Sequence, residues 1–152
     1  MYICIRSYLA MLFRRFFISL ILFSQFAGRA QSSVTVTLSN VRNANGSCNV
    51  AMYTSQSAFL NPKMAYRSKV VKAQKGAVKV TFEDVPAGNY AIAVIHDENN
   101  DANLNTNMIG IPKEGYGASN NNLPWTSAPS FSKAVFQLGN GSREMVINLR
   151  YY

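Results

Sequence analysis

Five oxygen-bearing side chains recur at every second position between residues 97 and 105: Asp97, Asn99, Asp101, Asn103 and Asn105. A hard cation such as calcium takes about six to eight oxygens at ~2.4 Å from carboxylates, amides and carbonyls. A loop wrapped round an ion delivers donors at alternate residues, because the side chains between them point away. Leu104 falls where such loops carry an apolar residue. The pattern predicts a calcium site on these five residues, with two departures from its strongest form. Ala102 stands where the sharp turn wants glycine, and Met108 where a bidentate glutamate would close the shell. Glu98 or Glu114 is then the carboxylate left to complete it. The competing reading is an Asx-rich loop whose side chains accept its own backbone N–H groups.

Around this core lie His96, Glu114, Tyr116, Ser119 and Asn120, a set able to line a ligand pocket or to anchor the loop. Catalysis finds less support. His96 and Asp97 are adjacent on a strand and point to opposite faces, a poor acid–base pair. Ser119 lacks a nucleophile-elbow context. One histidine without a partner histidine or cysteine makes a poor zinc site. No nucleophile–base–orienter set can be assembled, so no catalytic residue is assigned. A small hydrolase-like enzyme using His96, Asp97 and Glu114 is the alternative function.

The elements that must position these groups read as short strands. Val34, Val36 and Leu38 alternate with polar residues, as do Cys48, Val50 and Met52, and a turn signal at Asn45-Gly46 separates the two runs. Ser55 can cap a helical turn that Asn61-Pro62 would end. Residues 67–74 form a strand with lysine on both faces, and Lys75-Gly76 turns it into Val78, Val80 and Phe82. Exposed lysines of this hairpin suit edge strands. After the Val85–Gly88 turn, Tyr90–Ile95 is apolar on both faces and reads as a central strand. His96 continues the Tyr90, Ile92, Val94 face, and Asp97 the Ala91, Ala93, Ile95 face. Beyond the loop, Ala134, Phe136 and Leu138 alternate, then Met145, Ile147, Leu149 and Tyr151. The sum is an all-β, antiparallel sandwich of about seven strands with one long loop over 96–130.

Residues 1–30 have the layout of a secretory signal peptide: Arg6, Arg14 and Arg15, an apolar run from Phe16 to Ala27, and small residues before Gln31. That run is shorter than the ~20 residues a membrane-crossing helix needs. Cleavage would leave residues 31–152 as one domain without a membrane span, secreted or periplasmic. Four of the 15 basic residues fall in the leader, leaving 11 against 7 acidic. The remaining basic residues do not interleave with aromatics along one run, so nucleic acid is not an expected partner. Cys48 is the single cysteine outside the leader, which excludes an internal disulfide in the mature chain and suits a buried, inert thiol.

The combination of AMYTSQSAFL, FEDVPAGNYAIAVIHDENND, LNTNMIGIPKEGYGASNN and PSFSKAVF resembles the domain of unknown function 2141 family, secreted bacterial proteins of about this length. Its members usually carry glycine where this chain has Ala102, and often aspartate where it has Asn105. The VPAGNY turn and strand is similar to the repeated element of prealbumin-like sandwiches, and the resemblance implies an Ig-like or prealbumin-like fold without importing an activity. The expected function is an exported, non-enzymatic module that binds an envelope or extracellular protein or glycan through its calcium-stabilised loop at 96–122. A structural envelope protein is a further alternative.

Overall fold

A computed structural model describes residues 32–125 and 127–152, and the expected leader lies outside the described residues. Eight strands run in chain order as β1 (Val34–Val41), β2 (Ser47–Tyr53), β3 (Arg67–Lys72), β4 (Gly76–Phe82), β5 (Gly88–Asp97), β6 (Gly115–Ala118), β7 (Phe136–Leu138) and β8 (Arg143–Asn148). They form two sheets. The smaller has the order β4-β1-β8, the larger β3-β2-β5-β6, with β7 also paired to β5. The all-β sandwich expected from the sequence is the architecture found, with two differences. β8 runs parallel to β1, so the sandwich is mixed and not purely antiparallel. The expected 96–130 loop contains β6 and a 3-10 turn at Ser119–Asn121, which divide it into irregular stretches on either side.

Between the sheets, Val34, Val36 and Leu38 of β1 meet Val50 and Met52 of β2 and Tyr90, Ile92 and Val94 of β5 in one buried cluster. Burying each such side chain contributes about 1.5–3 kcal/mol. Cys48 faces this core, and burial pushes its thiol up to about 11, so it is an inert filler. The Tyr90 hydroxyl donates to the Pro86 carbonyl at 2.9 Å, which locks the Val85–Gly88 turn onto the start of β5.

The turn signals proved to be places where the chain changes sheet. The stretch around Asn45-Gly46 carries it from β1 to β2, and Lys75 carries it from β3 to β4; neither is a hairpin within one sheet. The basic residues of β3 therefore bridge the sandwich's open side. Lys69 Nζ donates to the Thr81 carbonyl at 2.6 Å, and Arg67 donates to the carbonyls of Asp84 (2.8 Å) and Glu83. They occupy one carbonyl of β4 and two just beyond its end, which is edge protection with a second anchor.

One further segment departs from expectation. Phe131–Ala134 is a short helical turn, α1, so the strand expected from residue 133 begins only at Phe136. After Ser55 the expected helical turn is present, with the Phe59 N–H donating to the Ser55 carbonyl at 3.1 Å, and it ends before Pro62; Pro62 then opens a separate 3-10 turn capped by Asn61, whose side-chain oxygen accepts from the Lys63 N–H at 3.1 Å.

Gly46 has φ +62°, and a Cβ there would stand 1.9 Å from the Asp97 carbonyl oxygen. Gly46→Ala is therefore expected to destabilise the fold by more than ~2 kcal/mol in denaturant unfolding, combining left-handed backbone strain with a backbone clash. Gly141→Ala has φ +120° but open space around it, and should lose less. Equal losses at the two positions would contradict this packing.

Candidate functional site

Asp97 ends β5 and starts the polar loop. Its carboxylate accepts from the N–H groups of Asp101 (3.1 Å) and Ala102 (2.8 Å) and from Asn49 Nδ2 (3.2 Å). Asp101 accepts from the Asn103 N–H at 2.8 Å and from the side-chain amides of Asn99 and Asn105, each at 2.9 Å. Glu114 sits buried just before β6. One of its oxygens takes the Glu98 N–H at 3.0 Å, the other the Asn105 N–H at 2.9 Å, clamping both ends of the turn. The alternating oxygens thus converge mainly on N–H donors of their own loop, the self-capped Asx geometry. Among the described residues no group of three His, Cys, Asp or Glu side chains is placed to hold a metal. Ala102 adopts φ +63°, the left-handed conformation that a glycine would take without strain.

From Asn105 onward the loop closes as a small hairpin. Lys113 N–H donates to the Asn105 carbonyl at 2.8 Å and Asn107 N–H to the Ile111 carbonyl at 2.8 Å. Asn107 Oδ1 in turn accepts from Ile109 and Ile111 N–H. The tip consequently presents Met108 and Ile109 to solvent, at 104% and 79% exposure.

The other anticipated residues separate into two groups. His96 is fully buried. Its Nε2 lies 2.9 Å from the Asn45 carbonyl, an acceptor only, so in the neutral ring Nε2 carries the proton and Nδ1 accepts the Tyr151 hydroxyl at 2.8 Å. Ser119 Oγ accepts the Ile92 N–H and donates to the Ala134 carbonyl, tying α1 to β5. Asn120 Nδ2 caps the carbonyls of Lys133 and Val135. These three hold the scaffold, as does Glu114. Glu114 also borders a polar cleft, and Tyr116 alone of the set faces the larger, apolar cavity.

That cavity is on the outer face of the larger sheet, and sequence reasoning missed it. Across four paired strands, β3, β2, β5 and β6, one row of outward residues reads Ser68, Ala51, Ala93 and Ala118. The next row reads Val70, Asn49, Ile95 and Tyr116. Small residues beside large ones make a trough. Phe59, Phe131 and Leu123 cover its Ala118 end, where Tyr53 and Phe59 meet edge to face at 5.4 Å. Ala51 and Ala93 remain as an open floor. The polar loop supplies one wall through Leu104, Ile109 and Ile111, Leu60 and Pro62 a second, and Trp125 with Tyr116 and Tyr152 a third. The volume is about 710 Å³, within the ~300–1,000 Å³ of small-ligand sites. The signals were the alanines opposite the bulky face of β5 and the run Met108-Ile109-Gly110-Ile111 in an otherwise polar loop.

A second, polar cleft of about 400 Å³ lies behind the loop, lined by Arg42, Glu98, Asn99, Asn105, Thr106, Lys113 and Glu114. Arg42 pairs with Glu98 at 2.7 Å, covers the Tyr151 ring at 4.6 Å, and donates to the Lys113 carbonyl at 3.0 Å. Burial would raise the Glu98 carboxyl, but hydrogen bonds from Asn43 and Arg42 and the Arg42 charge bring it below its ordinary value. Hydrogen bonds from Asn105, the Asn103 N–H and Asn99 do the same for Asp101.

A family model described as "Uncharacterized protein conserved in bacteria (DUF2141)" matches residues 36–146. No curated protein and no solved structure matches the chain. Among the described residues no helix is long and apolar enough to cross a membrane.

Two outcomes follow from the loop. Ala102→Gly should raise stability by about 0.5–1 kcal/mol, because glycine adopts positive φ freely while alanine is strained there; a lower thermal midpoint would contradict the left-handed turn. Glu98 and Asp101 have folded values below their unfolded ones, so their contribution is complete above the unfolded carboxylate range. It is lost as pH falls through the folded values, below about pH 4. Thermal midpoints measured from pH 6 to pH 2 should drop in that window, and drop less in Glu98→Gln and Asp101→Asn.

Proposed function

This chain belongs to the DUF2141 family of uncharacterised bacterial proteins, and we propose that it is an exported, non-enzymatic module that binds an apolar ligand in the trough of its larger sheet. One observation carries the reading. Of the ten large hydrophobic side chains that stand exposed among the described residues, six line this one cavity: Leu60, Val70, Ile109, Ile111, Trp125 and Tyr152. Singly exposed apolar residues need no explanation, but a contiguous set around a concavity marks a binding surface.

The polar loop has a part in this reading, though not as a chelator. Its carboxylates and amides fix the backbone, and the fixed backbone holds Leu104, Ile109 and Ile111 over the floor. The wall is therefore built before a ligand arrives, which spares the ordering entropy that a floppy loop would lose on binding. The reading needs no ion. Export is supported by the leader-like composition of residues 1–30.

A neutral, apolar fluorescent dye such as N-phenyl-1-naphthylamine should bind the purified protein saturably, one molecule per chain. Ala93→Leu places an isobutyl group on the open floor and should weaken binding by about tenfold or more, with little change in thermal midpoint because Ala93 faces the trough and not the cluster between the sheets. Unsaturable dye uptake, or binding indifferent to Ala93→Leu, would sink the proposal.

A further inference from the structure

The trough has a basic end. Arg150, next to the aromatic wall, sets its guanidinium 4.7 Å from the centre of the Trp125 ring and donates to the carbonyls of Leu123 (2.7 Å) and Pro124 (3.4 Å). Tyr116 hydroxyl donates to Tyr152 Oη at 3.2 Å, and Tyr152 hydroxyl reaches the Trp125 carbonyl at 3.2 Å. The Tyr116 hydrogen bond, then the Arg150 guanidinium, hold the Tyr152 phenol below its ordinary value, while burial and the bond to Tyr152 push Tyr116 up. Among the described residues no carboxylate lines the trough. Its one charged wall residue is Lys69, whose ammonium is turned away onto the Thr81 carbonyl of β4.

An apolar channel without acids, with the Tyr152 phenol in its wall and the Arg150 guanidinium stacked on Trp125 beside that wall, matches a molecule with a hydrocarbon tail and an anionic head. We propose that the ligand is a long-chain fatty carboxylate, its tail lying over Ala51 and Ala93 and its head beside Arg150 and Tyr152. The assignment rests on the trough being the binding site and names what fills it.

A peptide fits less well. The floor is the side-chain face of a sheet, and the main-chain groups of β2 and β5 beneath it are spent in their own ladder. A peptide backbone laid there would bury amides without partners, whereas an alkyl chain has none to satisfy. Arginine is also the side chain whose planar fork matches a carboxylate in bidentate fashion.

Trp125 is the sole tryptophan of the sequence and is 77% exposed in the wall, so its emission reports the trough directly. The purified protein is titrated with laurate below its micelle concentration, and with dodecanol and dodecyl phosphate as neutral and phosphate-headed counterparts. Laurate should shift the emission to the blue saturably and bind at least about tenfold more tightly than dodecanol. Arg150→Gln should bring laurate down to the alcohol's affinity, and Arg150→Lys, which keeps the charge, should retain a preference for the acid; circular dichroism verifies that both variants are folded. Equal affinity for laurate and dodecanol overturns the anionic head while the trough stands. Tighter binding of dodecyl phosphate than of laurate overturns the carboxylate. If no dodecyl compound shifts the emission and the neutral dye also fails to bind, the trough itself is lost as a site.

Discussion

Strand β5 is buried on its inner face and half-buried on its outer one, and the two faces have unequal volume. Inward, Tyr90, Ile92, Val94 and His96 fill the space beneath the smaller sheet; outward, Ala91 and Ala93 are small. Every other feature depends on that imbalance. The inner side supplies most of the hydrophobic stabilisation, because burial free energy scales with apolar area and the alanines contribute little of it. The outer side leaves room for Phe59, Phe131 and Leu123 to cover one end, and for a cavity over the other. β6 repeats the scheme in miniature. Gly115 and Gly117 face inward, where a Cβ would meet the Tyr151 ring at 2.3 Å and Ile147 at 2.6 Å, and Tyr116 between them faces the trough.

Much of this was legible in the sequence, and what was not has physical causes. Alternation picked out β1, β2, β4 and β8, because a half-buried strand imposes a period of two on its own residues, and a run apolar on both faces picked out β5. Pairing is another matter. Asn45-Gly46 and Lys75-Gly76 mark sharp reversals, but a reversal into the same sheet and one into the facing sheet ask for the same turn residues. The difference lies in long-range contacts such as Lys69 with Thr81. α1 was read as strand because Ala134 fits an alternating pattern; Asn120, fourteen positions before it, caps its end and could not be located from local residues. The trough escaped notice for a similar reason. Its floor is a row across four strands, with neighbours drawn from residues 51, 68, 93 and 118.

The 97–105 segment shows how one composition serves two chemistries. Aspartate and asparagine at alternate positions present oxygens to the inside of a tight loop, and an inward N–H is as good an acceptor's partner as a cation. Which one takes the oxygens depends on whether the turn brings amide groups within reach. Here it does: Asp97 collects two backbone N–H groups and Glu114 another two from either end. The glycine-to-alanine departure at position 102 was readable as a misfit, and the left-handed backbone there gives it a location.

A self-closed polar knot beside an apolar floor is a sensible division of labour. Apolar walls need rigidity, since hydrophobic contacts have no direction and cannot hold a flexible segment in one place. Hydrogen bonds can, and the loop's lie on its own backbone, where they leave Ile109 and Ile111 free of any structural duty in the core, while Leu104 packs against the outer cluster. Arg42 extends the same logic to the far side of the knot by joining Glu98, the Lys113 carbonyl and the Tyr151 ring, and so ties the loop to the C-terminal segment. That segment continues to Arg150 and Tyr152, whose contacts with Trp125 build the opposite wall. Through Tyr151 and its neighbours on either side, both walls are fastened to one short stretch of chain beside β6, so the width of the trough is set by covalent geometry and a few directional bonds.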